Sequence, residues 1–230
     1  MENISGVTFD LDNTLIRYER SPGEVLQTCF ETLDLEPLFS VDEYYSTYDA
    51  FVETCDSMDE LRRRCFAALA DANGYDRELG RTVAAVFREE RDHTNVSLLP
   101  NATMVLEEIS NHYEIAMITN GTRDTQWQKI TAVGLDQWFE TIIVAGDDTP
   151  PKPDATPFDR AIESLETTPA TTIHIGDSLD TDIAGAHATG MHSVWIGDEL
   201  ASRTIEPTYI VSSLAELVPF PWDDGSVTQR

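Results

Sequence analysis

Two aspartates one residue apart, Asp10 and Asp12, stand where a short apolar run from Ile4 to Phe9 ends. The run reads as a buried strand, and on an extended backbone residues i and i+2 project to the same side. Asp10 and Asp12 are therefore expected to face one pocket while Leu11 turns into the core. Two carboxylates at contact distance repel by about 4 kcal/mol at an effective dielectric of about 20. Such a pair persists if a cation lies between them or if one of them holds a proton. Either state is useful: a nucleophile beside a proton donor, with a metal to hold the charge. Taken alone, Asp12-Asn13-Thr14 is equally a surface turn, so the pair needs partners elsewhere in the chain.

Three further stretches supply candidates. Thr119-Asn120-Gly121 follows the apolar segment Ile115–Ile118. A hydroxyl with free backbone N–H groups and a glycine can hold phosphate oxygens; the same tripeptide also suits an ordinary strand-to-helix turn. Lys152 sits among Pro150, Pro151 and Pro153, in a loop stiffened by proline, and the chain has only one other lysine, Lys129. Gly176-Asp177-Ser178-Leu179-Asp180-Thr181-Asp182 follows the apolar segment Ile173–Ile175. There Asp177 is placed like Asp10, at a strand end, and oxygen ligands from the two suit Mg²⁺. Asp177, Ser178 or Asp180 could also cap the following helix.

The elements that must position these residues fall into two patterns. Residues 17–96 carry almost no strand signal, and the spacing predicts helices over 24–35, 41–53, 58–72 and 77–93. Met58, Leu61, Cys65, Phe66 and Leu69 mark an apolar stripe in the third. From residue 98 onward strands and helices alternate: helices over 101–111, 124–133, 156–165 and 179–189, strands over 113–118, 141–145, 171–175, 192–196 and 209–211. This alternation predicts an α/β fold, a parallel sheet covered on both faces. Ligands in such sheets bind beyond the carboxyl ends of the strands, where the polar stretches fall.

In this order, Asp10-Leu11-Asp12-Asn13-Thr14, Thr119, Lys152-Pro153 and Gly176-Asp177 through Asp182, the chain resembles the haloacid dehalogenase-like (HAD) superfamily. The resemblance spans most of residues 4–197. It implies a Rossmann-like catalytic core over 1–16 and 97–230, with residues 17–96 inserted as an α-helical cap of the C1 type. It implies that Asp10 attacks phosphorus and forms an aspartyl-phosphate, and that Asp12 protonates the leaving oxygen and later deprotonates water. It further implies that Thr119, Asn120 and Gly121 bind phosphate, that Lys152 offsets charge, that Mg²⁺ is held by Asp10, Asp177 and the Asp12 backbone carbonyl, and that Asp182 and Ser178 support them from behind. Family dehalogenases lack an acid at the second position, so Asp12 favours phosphoryl transfer. The expected enzyme is a Mg²⁺-dependent phosphatase of a small phosphorylated metabolite; a phosphomutase and a non-catalytic module on the same fold are the alternatives. Arg62-Arg63-Arg64, like Arg17, Arg88 and Arg91, is either a solvated flank or a group that faces the anionic substrate.

Composition bounds the rest. In 230 residues there are 42 acids and 15 bases, a formal net charge of −27. Such a surface repels nucleic acid. No apolar run approaches a membrane span, and Met1-Glu2-Asn3 lacks the start of a signal peptide, so a cytoplasmic monomer or homodimer is expected. Cys29, Cys55 and Cys65 have no metal-ligand spacing and read as small buried residues or inert thiols. His174, inside an apolar run, reads as a satisfied core residue.

The acid-rich, lysine-poor composition is similar to that of halophilic proteins. A surface of one sign repels itself and weakens the compact state. The Debye length shrinks from about 30 Å at 0.01 M salt to about 3 Å at 1 M. The midpoint of thermal unfolding, followed by circular dichroism without Mg²⁺, is therefore expected to climb steadily from about 0.1 to about 3 M KCl; a flat or falling midpoint would refute the adaptation.

Overall fold

The computed structural model describes residues 3–52, 55, 58–198 and 205–223. The chain divides into two compact units, Met1–Arg17 with Val96–Arg230, and Tyr18–Asn95. It begins with β1 (Gly6–Phe9) and leaves the first unit through β2 (Ile16–Tyr18). Four helices follow, α1 (Pro22–Thr32), α2 (Val41–Val52), α3 (Met58–Ala72) and α4 (Arg77–Glu90), before β3 (Val96–Leu98) returns. The second helix was expected to reach residue 53, which lies outside the described residues. The pair β2–β3 forms a small two-stranded sheet that the sequence pattern does not announce: three residues per strand are too few for a period of two to register.

The first unit continues through α5 (Ala102–Ser110), β4 (Glu114–Asn120), α6 (Arg123–Ala132), β5 (Thr141–Ala145), α7 (Ala155–Ser164), β6 (Thr172–Gly176), α8 (Ala184–Thr189), β7 (His192–Ile196) and β8 (Tyr209–Val211). Six strands make one sheet in the order β5-β4-β1-β6-β7-β8, with every pairing parallel. β1 is central, and the chain builds first to one side of it and then to the other. That reversal creates the crevice where open α/β sheets bind ligands.

Register explains the core. Val7 lies opposite Ile115 and Ile173, and Phe9 opposite Met117 and Ile175. These residues and Leu11 are buried in one cluster with Val105, Leu106 and Ile109 of α5. Ala116 and Ile118 belong to a second cluster with Phe158 and Ala161 of α7 and Ala186 of α8. The alternation is that of a two-faced sheet. It carries past the end of β1, since Leu11 joins the cluster of Val7 and Phe9, which leaves Asp10 and Asp12 to the other side as expected.

The Tyr18–Asn95 unit has its own core. Phe39, Phe66 and Phe87 pack in sequence, tilted and then edge to face, with ring centroids 4.9 and 5.6 Å apart, and Leu61, Cys65, Phe66 and Leu69 of the predicted stripe are buried; the Met58 side chain lies outside what is described. Cys29 and Cys65 are buried and unbridged; burial pushes their thiols up to about 12 and about 11, which makes them inert. Helix α4 comes so close to α3 that a Cβ on Gly80 would lie 2.2 Å from the Phe66 carbonyl oxygen. Backbone cannot yield as a side-chain tip can. Gly80→Ala should therefore destabilise this unit by about 1–3 kcal/mol, read as a lower urea midpoint, and an unchanged midpoint would mean that the two helices are free to part.

Candidate active site

The first aspartate is held by a lysine. Lys152 is buried, and its Nζ lies 2.7 Å from Asp10 Oδ1, 2.6 Å from Asp182 Oδ1 and 2.7 Å from the Ile118 carbonyl oxygen. All three ammonium donors are thereby used. The backbone of Lys152 is fixed as well: its N–H donates to Asn120 Oδ1 at 2.8 Å, and Asn120 Nδ2 donates to its carbonyl at 3.1 Å. Asn120, expected among phosphate ligands, thus commits its amide to the loop that presents Lys152. The Gly121 N–H donates to the Ala145 carbonyl at 2.9 Å, so it is not one of the free donors the tripeptide suggested.

The second aspartate has a lysine of its own. Lys129 Nζ lies 2.9 Å from Asp12 Oδ1 and 2.8 Å from Oδ2, and Gln126 Nε2 donates to Oδ2 at 3.0 Å. Gln126 also donates to the hydroxyl of Thr119, which is buried at the end of β4. Asp10 and Asp12 emerge on one side of the strand, yet each carboxylate is matched to a separate ammonium. Two separate ammoniums are a third solution beside the shared cation and the shared proton expected from the pair. Lysine scarcity, which marks Lys152 in the sequence, marks Lys129 equally. A second signal lay in α6, whose buried face carries Gln126 and Lys129 beside Ile130.

At the end of β6, Asp177 and Asp182 complete the cluster. Asp10, Asp177 and Asp182 each offer a carboxylate oxygen, all within 4.8 Å of one another. Asp182, expected behind the metal ligands, reaches this position through a wide helical turn in which the Ile183 N–H donates to the Ser178 carbonyl five residues back. Its Oδ2 accepts from the Ser178 N–H at 3.0 Å, and the Ser178 hydroxyl caps the turn by accepting from Thr181 N–H at 3.3 Å. Gly176 is required for close approach: a Cβ there would lie 2.4 Å from the Asp182 carboxyl. Asp180 is exposed. His174 is fully buried, with Nδ1 2.8 Å from the Thr8 hydroxyl and Nε2 3.4 Å from Asp182 Oδ1. It is a core residue, as expected, but one that backs the site.

Electrostatics separate the three carboxyls. Burial pushes Asp10 up to about 7, against the pull of Lys152 and with a further push from Asp182. Burial likewise pushes Asp177 up to about 6, with Asp182 adding to it. For Asp182 burial works against ionisation, but Lys152 and His174 outweigh it and hold the carboxyl well below the usual range. Lys152 is raised: burial opposes its charge, and Asp10 and Asp182 more than restore it. Asp182 and Lys152 thus form the charged pair, while the protein alone does not compensate the ionised forms of Asp10 and Asp177. Two hard-oxygen donors in that condition fit a divalent cation such as Mg²⁺.

Of the arginines noted in the sequence, Arg63 and Arg88 share one cleft, and Arg62, Arg64 and Arg91 have separate partners. Arg62 stacks over Phe87 with 5.4 Å to the ring centroid, Arg64 lies 3.8 Å from Glu60, and Arg63 lines a cleft with Arg81 and Arg88. Arg88 pairs with Asp59 at 3.5 Å, and Arg91 lies over the Tyr18 ring, 3.7 Å from its centroid.

The model of the haloacid dehalogenase-like hydrolase family matches residues 7–196. The HAD-hydrolase YfnB of Bacillus subtilis (strain 168) is 26% identical over 94% of this chain and 95% of its own length. N-acylneuraminate-9-phosphatase of Rattus norvegicus is 28% identical over 94% and 93%. Phosphoserine phosphatase of Thermus thermophilus is 31% identical over 68% and 64%. The crystal structure of Bacillus subtilis YfnB bound to magnesium shares the fold, with a TM-score of 0.76 and 24% identity over 95% of this chain and 98% of that one. The chain belongs to the haloacid dehalogenase-like hydrolase family. Within that family it is an enzyme of the phosphatase type. Among the described residues no helix is long and apolar enough to cross a membrane.

The raised carboxyls shape the pH response of the metal-free protein. A carboxyl at about 7 or about 6 in the folded state and near its ordinary value when unfolded binds protons preferentially in the fold. Their contribution to stability then falls as pH rises between those values, while His174 and His187, whose burial lowers them, contribute in the opposite sense. Between about pH 5 and about pH 7 the unfolding midpoint of the metal-free Asp10→Asn variant should therefore fall less, or rise more, than that of the wild type. An equal slope in the two proteins would remove Asp10 as a source of it.

Proposed function

We propose that the protein is a Mg²⁺-dependent hydrolase of small phosphomonoesters that works through an aspartyl-phosphate on Asp10. One observation carries the reading most: a carboxylate whose burial Lys152 only partly offsets, Asp10, stands beside Asp177, while a second carboxylate, Asp12, is held by its own lysine. The first arrangement suits a nucleophile and the second a proton carrier. An oxygen of Asp10 attacks phosphorus, the bond to the leaving oxygen breaks, and Asp12 delivers the proton that oxygen needs. Water then attacks the phosphorus of the aspartyl-phosphate, Asp12 takes its proton, and the bond to Asp10 breaks to release phosphate. Lys152 offsets the charge that gathers at Asp10, and the Thr119 hydroxyl binds a phosphate oxygen. Asp10, Asp177 and the Asp12 carbonyl would hold Mg²⁺, which when bound neutralises phosphate charge.

The helical unit, inserted directly after the first motif, would act as the cap that selects the substrate. The acid-rich surface suits a cytoplasm rich in salt, which screens its repulsion of a small phosphorylated metabolite, and a monomer or homodimer would suffice.

Aryl phosphate hydrolysis should require Mg²⁺ and stop with EDTA, and Asp10→Asn should abolish it. Asp12→Asn should slow alkyl phosphates by on the order of a hundredfold and nitrophenyl phosphate less, because a good leaving group needs less protonation. Wild-type kcat in Asp10→Asn would rule out Asp10 as nucleophile, and equal losses on both substrates would take the leaving-group role from Asp12.

A further inference from the structure

Lys129 is an expensive residue for its place. Its side chain is 7% exposed on the face of α6 that packs into the core, while the Asp12 side chain it contacts is 33% exposed. Replacing a buried ion pair by apolar residues of similar volume is often neutral or stabilising, so stability alone does not account for an ammonium here. The chain contains two lysines, and each has its ammonium on one of the two aspartates of the first motif. The contact is also specific in shape, since Nζ spans both carboxylate oxygens at 2.9 and 2.8 Å. One turn earlier on the same helix, Gln126 uses its amide to reach both Asp12 Oδ2 and the Thr119 hydroxyl. Residues i and i+3 share a helix face, so α6 delivers the two side chains together.

We propose that Lys129, assisted by Gln126, is a positioning residue for Asp12: it holds the proton-carrying carboxylate in one orientation through both halves of the reaction. The inference rests on the assignment of Asp12 as proton carrier. Asp12 must give a proton to the leaving oxygen and then take one from water. A carboxyl free to rotate would have to find its orientation twice per turnover, and reacting groups lose rate steeply with misplacement. A donor that spans both oxygens keeps one contact whichever oxygen carries the proton. Gln126 ties that orientation to the hydroxyl expected to hold the phosphate, so the proton carrier and the phosphate site share one frame. Lys129 acts through Asp12 and needs no contact with the substrate.

The test is a double-mutant cycle with Mg²⁺ and an alkyl phosphate, whose leaving oxygen needs the Asp12 proton, the enzyme in excess and the single-turnover loss of the ester followed, with steady-state alkyl phosphate hydrolysis and nitrophenyl phosphate hydrolysis alongside. Lys129→Met should lower kcat on alkyl phosphates by about 10- to 100-fold and change KM by less than about threefold. In the Asp12→Asn background Lys129→Met should cost no more than about a further twofold, because the group it positions is already disabled. Lys129→Arg, which keeps the charge and can still reach two oxygens, should recover a large part of the loss and covers the case in which the methionine variant fails to fold. Unfolding midpoints of all variants separate lost rate from lost structure. Losses of the same size in both backgrounds, or a KM that rises in step with the fall in kcat, would overturn the positioning role while leaving the phosphatase assignment intact. A wild-type protein that releases no nitrophenolate under any Mg²⁺ condition would overturn both.

Discussion

A buried ammonium must find three acceptors, and the site is organised around the one that does. Lys152 is answered by a carboxylate at the end of β1, a carbonyl near the end of β4 and a carboxylate in the turn after β6. These three acceptors come from adjacent strands of the central sheet. Removing any one would leave charge buried without a partner, which costs far more than an exposed ion pair is worth. The contact therefore fixes Asp10 and Asp182 relative to each other, and it makes the carboxyl ends of three strands a single electrostatic unit.

Much of the surrounding detail serves that unit. Asn120 holds the backbone of Lys152 from both sides, so the loop between β5 and α7 cannot withdraw the side chain. Gly176 leaves the space that the Asp182 carboxyl occupies. The wide turn after β6 lets both Asp177 and Asp182 face the cluster, a local widening often found at functional sites. His174, with burial holding it in the neutral form, offers Nε2–H to Asp182 when its proton sits on that nitrogen and Nδ1 accepts from Thr8. Behind the charged pair there is thus a polar chain reaching into the sheet face, where Ser193 is buried opposite His174.

The carboxylates themselves are kept unequal. Asp182 is held ionised by Lys152, while Asp10 and Asp177 are left with burial only partly offset. An arrangement of like charges that satisfies one member and leaves two short is unstable by itself and receptive to a cation. Asp12 stands outside this balance because Lys129 answers it separately. A chain carrying 42 acids keeps its two lysines for these carboxylates and leaves the balancing of its surface to arginine.

The order of elements, the parallel sheet, the positions of Asp10, Thr119 and Asp177 at strand ends and that of Lys152 in the loop after β5 are legible in the sequence because they follow from local rules. Apolar runs of strand length, helical spacing and polar residues at the breaks are properties of neighbours along the chain. The predicted strands over 141–145, 192–196 and 209–211 and the helix over 58–72 coincide with the observed ones for that reason. Tertiary structure alone decided what each side chain is matched with. Lys129 is 117 residues from Asp12, Asn120 is 32 from Lys152 and His174 is 166 from Thr8. Rarity and a place beside Ile130 mark Lys129 locally, but nothing local says which carboxylate it will meet. Whether a pair of aspartates shares a cation, a proton or two separate ammoniums depends on which helices the sheet brings against it, and a run of residues around Asp10 and Asp12 holds no record of that.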